Sequence, residues 1–498
     1  ALLTSPQCPI VLLPWRPTST IVTEVAPRYR HLGVMLPYTP LHHVLLRDVG
    51  RPLVMTSGNL SEEPIAADNE EARQRLGHLA DYFVFHNRDI YARYDDSVWF
   101  YPLSDSAQPV RRARGYAPFP VRLPFKMRQV LACGAEIKNT FCLTRDEYAF
   151  VSQHTGDMEN LETLDHFERT VELYKHLFRI EPEIIAHDLH PEYLATKFAI
   201  RSSPPAVPVQ HHHAHIAACL ADNGWGADDG PVIGVALDGT GYGDDGHIWG
   251  GEWLVGDYHN YRRAAHLEYL PLPGGDAATR NPWRIATSYL YTLLDEFPRL
   301  PLPDGVAAAE LGLLRQQLDR RLNCPLTSSM GRLFDAVSAL LGVCGRATYE
   351  AQAAIELEVV ASEQIGKSAN STGYPFQVEV TGDETVVRLR ELFAALLTDV
   401  HTGVPVEEIA WRFHQTVAQM TVEVCQRIAA DTGLHTVALS GGCYQNRLLL
   451  SLTVPALEEA GFRVFLHRQV PCNDGGLSLG QAVIANFASQ RGVSHDHR

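Results

Sequence analysis

The chain has 498 residues, more than one hydrophobic core usually organises, so we expect at least two domains. Apolar residues make up 45% and charged residues 20% of it, which is typical of globular proteins and argues against extensive disorder. The formal net charge of -16 argues against broad binding to nucleic acid or to anionic membranes. No apolar run approaches the roughly 20 residues that span a bilayer, and the first residues lack the pattern of a signal peptide.

The nine cysteines are scattered through apolar segments and never form Cys-x-x-Cys, so the sequence predicts neither a disulfide framework nor a zinc knuckle. A reducing compartment suits them best, and we therefore expect a cytoplasmic enzyme. The chain begins with Ala1, and its first apolar run, at residues 9–14, looks like a strand that has lost its predecessor. We expect the sequence to be a fragment of a longer chain.

The first part of the chain alternates β-rich runs with polar helical stretches. Strands are predicted over 10–13, 53–56, 82–86 and 97–101, and a helix over 69–79, which is the pattern of a mixed α/β sheet. Residues 118–124 include three prolines, which suit a linker better than a helix or a central strand. We place a boundary at about residue 125, with one domain over 1–125 and a second over 126–498.

Two strand-turn-strand units follow, at 130–143 and 232–255. Glycines in such turns let backbone N–H groups approach an anion, so two facing turns could hold a polyphosphate from both sides. This duplication resembles the actin-like, sugar-kinase-like α/β architecture, although two unrelated hairpins remain the alternative. Helices are predicted over 315–322, 331–342, 390–402 and 406–432, and strand-to-helix crossings over 436–448 and 464–487.

Four histidines lie within five residues at the predicted start of a helix: His211, His212, His213 and His215. Residues at positions i and i+4 share one helical face, so His211 and His215 can direct a ring nitrogen each to one cation. His212 with His215, at i and i+3, is the second choice. Any single histidine would by default be a core residue, but a cluster of imidazoles favours a metal.

Two imidazoles seldom complete a metal site, and divalent ions also accept carboxylate oxygens. Asp238 ends an apolar strand in Leu-Asp-Gly-Thr-Gly, and Asp474 precedes the last helix in Asn-Asp-Gly-Gly. Each has an equally ordinary interpretation as a turn or helix-capping residue.

Nucleotide contacts are indicated less strongly. Gly441 and Gly442 form a turn before a helix, where an adenosine or its phosphates could lie, and Lys138 in the first turn could reach a phosphate. A solvated hairpin lysine is the commoner case. The polar turns at 55–59 and 94–97 and the basic run at 111–114 are interpreted, from the residues alone, as turns and surface charge. The chain has no Walker loop, Rossmann fingerprint or Gly-x-Ser-x-Gly motif.

Taken together, these motifs resemble the HypF family of hydrogenase maturation carbamoyltransferases, over essentially the whole chain. Met55-Thr-Ser-Gly-Asn59, His86-Asn-Arg-Asp-Ile90 and Asp95-Asp-Ser-Val98 look like its YrdC-like domain. The second domain, related to tRNA threonylcarbamoyl transferases, is indicated by Gly134-Ala-Glu-Ile-Lys-Asn139, His187-Asp-Leu-His-Pro191, the histidine cluster, Asp238-Gly-Thr-Gly-Tyr-Gly243 and Asn473-Asp-Gly-Gly476. The implied fold is a mixed-sheet YrdC-like α/β domain followed by an actin-like duplicated α/β domain.

The resemblance implies a relay. Carbamoyl phosphate yields carbamate, ATP converts it to carbamoyl-adenylate in the YrdC-like domain, and the second domain passes the carbamoyl group to the C-terminal cysteine of HypE. The product becomes a cyanide ligand of nickel-iron hydrogenase. An enclosed route between the domains would protect the adenylate from water.

The resemblance also assigns residues. It implies iron or zinc on His211, His215, Asp238 and Asp474, with Lys138, His211 and His215 as catalytic residues. For ATP and its Mg it implies Lys138, Asp335, Glu356, Gly441 and Gly442 in the second domain, and Ser57, Asn59, Asp96 and Ser97 around the adenylate. Neither nucleic acid nor a membrane is an expected partner.

One departure and two alternatives accompany this assignment. The family normally begins with an acylphosphatase-like domain, cysteine-rich zinc-finger modules and a basic Lys/Arg cluster, none of which lies in this chain, so we expect no carbamoyl phosphate hydrolysis and an impaired ATP site for adenylation. The alternatives are an O-carbamoyltransferase acting on a small-molecule hydroxyl and a non-catalytic nucleotide-binding scaffold. A tRNA-modifying function is disfavoured by the net charge and the attached first domain.

Overall fold

A computed structural model describes residues 1–16, 18–60, 63–103, 106–295, 306–367, 372–382 and 384–488. Residues 1–120 are called the first segment and the residues after them the second segment. The first segment contains a four-stranded sheet in the order β2-β1-β3-β4, where β1 pairs antiparallel with β2 and parallel with β3. Its elements are β1 (Ile10–Pro14), β2 (His31–Val34), α1 (Pro40–Val49), α2 (Asn69–Leu76), β3 (Val98–Leu103) and β4 (Ser106–Arg111). The strands predicted over 10–13 and 97–101 and the helix predicted over 69–79 are therefore present.

The strands predicted over 53–56 and 82–86 are wrong. Neither run pairs with a described strand, and Val54, Tyr82 and Val84 are 72%, 92% and 85% exposed. Strand propensity reflects packing on a half-buried pleated surface, and these residues have no such surface.

The proline-rich stretch is more ordered than a linker. Val121–Met127 forms strand β5, which pairs antiparallel with β7 (Cys142–Val151) at the edge of a five-stranded sheet. Pro124 lies where the register of this pair shifts, and an edge strand tolerates a residue without an N–H. The linker prediction therefore fails for 121–124.

The five-stranded sheet has the order β5-β7-β6-β8-β9. Along the chain, one helix follows each of the strands β7, β8 and β9. The first predicted strand-turn-strand unit is its β6–β7 pair. The remaining elements are β6 (Val130–Ala132), α3 (Leu161–Phe178), β8 (Ile184–Asp188), α4 (Leu194–Arg201), β9 (Ala206–Val209) and α5 (His211–Asp222).

A nine-stranded mixed sheet forms the rest, with the path β15-β16-β12-β11-β10-β17-β18 and two short strands beside β11. The second predicted unit is its β10–β11 pair. The strands are β10 (Val232–Tyr242), β11 (Ile248–Gly256), β12 (Tyr261–Leu267), β13 (Leu270–Pro271), β14 (Leu326–Thr327), β15 (Gln377–Thr381), β16 (Glu384–Arg388), β17 (Thr436–Ser440) and β18 (Arg463–Phe465).

The helices around this sheet bury a large apolar core. They are α6 (Asp276–Thr279), α7 (Pro282–Leu294), α8 (Ala308–Asp319), α9 (Met330–Leu340), α10 (Gln352–Ala361), α11 (Arg390–Thr402), α12 (Val406–Thr432), α13 (Arg447–Glu459) and α14 (Leu477–Ala488). The predicted bounds of α11 and α12 are confirmed, whereas α8 begins seven residues earlier than predicted. Among the described residues, no helix has the length and apolar character needed to cross a membrane.

Two helices lie between the five-stranded and nine-stranded sheets. All twelve residues of α5 are buried, and it packs on β10 and β17, while α14 packs on β6, β7 and β8. The two helices touch so closely at Gly480 that a Cβ there would overlap the carbonyl oxygen of Ala214. The first turn of α5 is thereby fixed between the two sheets.

Candidate metal centre and nucleotide cleft

The first turn of α5 carries two of the four clustered histidines into a common space. The Gln210 side chain caps this helix by accepting the His213 N–H at 2.9 Å. His211 and His215 then lie on one helical face with ring centroids 4.9 Å apart, and both are buried. The i, i+4 pair that the sequence predicts is therefore brought together.

Two aspartates face these rings from separate elements. Asp238 lies on β10 just beyond Leu237, where the β10–β11 register shifts, and Asp474 lies in a 3-10 turn before α14. His211 Nε2 is 3.4 Å from Asp238 Oδ2 and 3.6 Å from Asp474 Oδ1. His215 Nε2 is 3.6 Å and 3.5 Å from the same two oxygens. The structure thus gathers all four predicted ligands in one buried cluster.

The cluster fits a divalent cation. Four ligand atoms about 2.0–2.1 Å from a tetrahedral ion lie about 3.3–3.4 Å from one another, close to the separations observed here. Neither imidazole Nε2 makes a hydrogen bond in the described part of the chain, although both atoms are buried. Two imidazole nitrogens with two carboxylate oxygens suit zinc or ferrous iron better than magnesium or calcium.

His211 is oriented from behind by Asp188 at the end of β8. The Asp188 Oδ2 lies 2.7 Å from His211 Nδ1, and its Oδ1 accepts the His190 N–H at 2.9 Å. A carboxylate in this position fixes the ring and makes it a stronger ligand. This role of Asp188 was not predicted, although the residue lies in a quoted motif; the signal for it is an aspartate that ends an apolar strand, as at Asp238.

His215 has a different supporting partner. Its Nδ1 is 3.3 Å from Ser440 Oγ, which is in turn 2.8 Å from His467 Nε2. All three side chains are buried. Neither supporting residue was predicted: Ser440 precedes the Gly-Gly turn, whereas nothing in the sequence around His467 distinguishes it.

Opposite charges shift the pKa values of the four side chains. Burial opposes protonation of both rings, but Asp188, Asp238 and Asp474 raise the pKa of His211, and Asp238 and Asp474 raise that of His215. Burial likewise opposes ionisation of the two aspartates, but the neighbouring imidazoles hold their pKa values below the usual range. A metal would replace the imidazolium protons and keep the carboxylate partners.

The Gly441–Gly442 turn directly contacts the group formed by His211, His215, Asp238 and Asp474, called the metal cluster because these residues could hold a metal ion. The Gly442 N–H donates to Asp238 Oδ1 at 2.8 Å, and the Gly441 N–H donates to the Cys472 carbonyl at 2.9 Å. Gly441 has a φ of 99°, and a Cβ there would overlap the backbone of Leu237. Glycine is needed because β17 approaches β10 so closely.

Lys138 lies in the turn of the first strand-turn-strand unit. Its N–H donates to Asp157 Oδ1 at 2.7 Å, and its ammonium contacts Glu350 from the loop before α10. Burial disfavours the charged lysine, but Glu350 and Asp474 outweigh that effect and raise its pKa. The lysine therefore remains a cation beside the metal cluster.

Asp335 and Glu356 lie on α9 and α10, and each has a cationic neighbour. Asp335 is 2.9 Å from Arg332 Nε, and burial raises its pKa even against this partner. Glu356 Oε2 is 3.4 Å from Arg28 of the first segment, and its Oε1 accepts from Gln352 at 2.8 Å. The two carboxylates are thus held by protein partners on the side of the nine-stranded sheet.

The first segment contributes a polar cavity of about 220 Å³. Ser57 and Asn59 line it, as predicted for the adenylate site, and Arg93 and Arg111 supply positive charge. Residues of the second segment complete its wall: His154, Thr155, Gly156, Asp157, Thr163 and His166. The cavity therefore lies at the contact of the two segments.

Asp96 and Ser97 do not line this cavity. Asp96 is 2.6 Å from Arg114 Nε, and Ser97 Oγ donates to the Arg114 carbonyl at 2.9 Å while accepting the Ala113 N–H at 2.8 Å. Both side chains are used in holding β3 to the segment after β4. Arg93, Asp95 and Arg111, which were not among the predicted site residues, line the cavity instead.

Family models match three parts of the chain: "Telomere recombination" (Sua5/YciO/YrdC) at residues 1–113, "HypF Kae1-like domain" at 126–222, and "Carbamoyltransferase, Kae1-like Domain, second subdomain" at 234–481. A carbamoyltransferase HypF2 from Cupriavidus necator is 39% identical, over 97% of this chain and 64% of the relative. A HypF homolog from the same organism is 40% identical, over 72% of this chain and 91% of its own length.

A solved structure is similar over nearly the whole of this chain. The full-length HypF in its phosphate- and nucleotide-bound form is 42% identical with a TM-score of 0.92, and the match covers 99% of this chain and 76% of that one. The chain spans 64% of the length of the curated HypF proteins of Cupriavidus necator and Synechocystis. The predicted fold class is confirmed as a YrdC-like mixed α/β domain followed by a second α/β domain, which the matched family models describe as Kae1-like. The chain belongs to the HypF family of carbamoyltransferases.

Proposed function

We propose that this chain is a cytoplasmic, ATP-dependent carbamoyltransferase of hydrogenase maturation. It moves a carbamoyl group from carbamoyl phosphate, through carbamoyl-adenylate, to the C-terminal cysteine thiol of HypE. The observation that carries the proposal is the buried cluster of His211, His215, Asp238 and Asp474 beside a glycine turn, in a chain of the HypF family.

The four ligands would hold one iron or zinc ion. When bound, the ion acts as a Lewis acid that polarises a carbonyl or phosphoryl oxygen. Asp188 and Ser440 orient the two imidazoles, and Asp238 also receives the Gly442 N–H. This last bond couples the ion's ligand to the turn proposed to lie under the nucleotide.

The nucleotide would lie between the two sheets. Lys138 offers an ammonium to its phosphates from the five-stranded sheet, and Gly441 and Gly442 approach it from β17. Asp335 on α9 and Glu356 on α10 would supply carboxylates that could bind Mg or a ribose. Arg28 and Arg332 neutralise them until the ligand arrives.

The transfer forms one bond and breaks another. The cysteine thiol loses its proton to solvent, and the resulting thiolate sulfur attacks the carbonyl carbon of carbamoyl-adenylate. The new carbon–sulfur bond replaces the carbon–oxygen bond to the phosphoryl group, and AMP leaves with that electron pair. The positive charge of Lys138 favours the departing phosphate.

Adenylation would take place in the first domain, which we propose to end near residue 125. Ser57, Asn59 and the two arginines of the 220 Å³ cavity form its polar wall, and Asp96 and Ser97 hold the adjoining β3 in place. His154 and His166, which also line this cavity, are neutral, because burial lowers their pKa values to about 3 and about 4.

The test supplies protein loaded with iron or zinc, ATP, Mg, a peptide ending in cysteine, and carbamate, because we expect no carbamoyl phosphate hydrolysis by this chain. We expect AMP release and a mass gain of one carbamoyl group on the peptide, and loss of both in the Asp474→Asn variant. A peptide ending in serine is the matched control. Transfer to the serine peptide or to an aminoglycoside, with none to cysteine, would overturn the choice of acceptor.

A further inference from the structure

The orientation of the Gln210 amide determines the tautomer of His212. Gln210 Oε1 accepts the His213 N–H at 2.9 Å, and its Nε2 donates to the Tyr242 carbonyl at 3.1 Å. Both backbone groups have fixed roles, so the amide oxygen and nitrogen cannot be exchanged. The same Nε2 lies 3.3 Å from His212 Nδ1. Gln210 therefore donates to His212 Nδ1, which leaves the ring proton of a neutral His212 on Nε2.

This Nε2–H has no acceptor among the described residues. His212 is fully buried, and its Nε2 is a buried polar atom without a hydrogen bond there. Because Gln210 donates to Nδ1, that nitrogen carries no proton and the ring is neutral. Buried N–H groups are rarely left unpaired in native proteins, so this atom points to a ligand.

The ring of His212 lies beside the metal cluster. Its centroid is 5.2 Å from that of His211 and 5.9 Å from that of Trp249. Gly241 admits this arrangement, because a Cβ there would approach His212 Cε1 to 2.5 Å. The Arg263 guanidinium lies over the Trp249 ring, 3.9 Å from the ring centroid. The imidazole is held rigidly, as a preorganised donor must be.

The adjacent His213 has no such unpaired ring nitrogen at Nε2. Its ring is buried as well, but its Nε2 bonds the Asp257 carbonyl at 2.6 Å on the other side of α5. The Nε2 of His213 therefore bonds the protein, whereas the Nε2 of His212, beside His211, has no partner in the part of the chain that the structure describes.

We propose that His212 is a further catalytic residue, whose Nε2–H donates a hydrogen bond to the carbonyl oxygen of the carbamoyl group. This inference rests on the proposed function. When the sulfur attacks, the carbonyl electron pair moves onto that oxygen, and it returns as AMP leaves. His212 stabilises the negative charge on the oxygen in between and keeps its proton throughout.

The inference is tested first by turnover of the metal-loaded protein. His212→Ala removes the donor and should lower kcat for transfer about 100- to 1,000-fold, with the metal content and the KM for ATP unchanged. His212→Gln, which keeps an N–H donor of similar reach, should recover part of the loss. His213→Gln is the control and should retain activity. A wild-type kcat in His212→Ala would overturn the proposal.

A binding measurement separates this inference from the proposed function. The probes are 5'-O-(N-carbamoylsulfamoyl)adenosine and its parent 5'-O-sulfamoyladenosine, which lacks the carbamoyl carbonyl. His212→Ala should weaken binding of the first about 3- to 10-fold and leave the second unchanged. Equal effects on both probes, or on neither, would contradict the role of His212. If the wild type transferred no carbamoyl group to any acceptor, the proposed function would fail, while this comparison would still decide the donor.

Discussion

At the scale of single residues, the two histidines proposed as metal ligands differ in what supports them. A buried carboxylate, Asp188, stands behind His211, whereas the hydroxyl of Ser440 stands behind His215. That these two histidines share a helical face could be predicted from the sequence, because an i, i+4 pair is a local property of a helix. The supporting residues could not, since Asp188 meets α5 only when β8 and α5 pack together.

This asymmetry predicts that Asp188 contributes strongly to metal binding. The Asp188→Asn variant keeps the side-chain volume but removes the negative charge behind His211. We expect the affinity for zinc to fall about 10- to 100-fold, measured by competition with a chromophoric chelator. The exposed Asp146→Asn variant should bind zinc as the wild type does. Unchanged affinity in Asp188→Asn would show that the contact is only structural.

At the scale of elements, the helix that carries the ligands is enclosed on all sides. The sequence indicates where α5 begins and that two of its histidines share a face, but not that all twelve residues are buried. That burial follows from two sheets and α14 meeting around it, which no local pattern encodes. For the same reason the strands predicted over 53–56 and 82–86 failed, because each lacks a neighbouring strand.

The contact of α5 with α14 predicts a sharp steric limit at Gly480. A Cβ in Gly480→Ala would overlap the Ala214 carbonyl, so α14 must shift against the first turn of α5. We expect an unfolding free energy lower by about 1–3 kcal/mol and weaker metal binding. Calorimetry and chelator competition measure the two effects.

The matched control for this substitution is Gly312→Ala on α8, where a Cβ would meet nothing within 4 Å. It should raise stability by about 0.5–1 kcal/mol, since alanine favours a helix more than glycine does. Equal effects of the two substitutions would mean that the close contact of α5 and α14 is absent.

At the scale of the whole molecule, the first segment meets the second through the start of α13. Glu358 accepts the N–H groups of Arg447 and Leu448 at 3.0 and 3.4 Å, while the Arg447 guanidinium reaches the Leu12 carbonyl at 3.5 Å. Arg447 also lies over the Phe100 ring at 5.2 Å. Burial raises the pKa of Glu358 to about 7, although Arg447 opposes the shift.

This carboxyl group makes stability depend on pH. Below about pH 4.5 it is protonated in both states and carries no penalty. As the pH rises to about 7, the unfolded chain ionises while the folded protein stays protonated, so stability is lost, and the loss persists at higher pH. The Glu358→Gln variant, which keeps an acceptor, should therefore be more stable than the wild type at pH 8 by about 1 kcal/mol, allowing for partial exposure.

The check is the apparent Tm of both proteins at pH 8 and at pH 4.5. The gain at pH 8 should be a few degrees at most and should vanish at pH 4.5. The exposed Glu363→Gln variant is the control and should change the Tm little at either pH. A gain of equal size at both pH values would mean that Glu358 does not titrate as described.

Much of the fold class could be predicted from the sequence, because different motifs of one family occur along the whole chain. The charged partners of the residues proposed to bind the nucleotide could not be predicted. Asp335, Glu356 and Lys138 each have a protein partner, at Arg332, Arg28 and Glu350 respectively, and these partners come from other elements. Long-range charge pairing of this kind leaves no pattern of spacing in the sequence.

The central claim is that His211, His215, Asp238 and Asp474 form one metal centre. Elemental analysis of the purified protein, before and after loading with zinc or ferrous iron, tests it most directly. We predict about one ion per chain in the wild type and little or none in His211→Ala and Asp474→Ala. Folding of the variants is checked by their calorimetric transitions. A full equivalent of metal in both variants would contradict the claim.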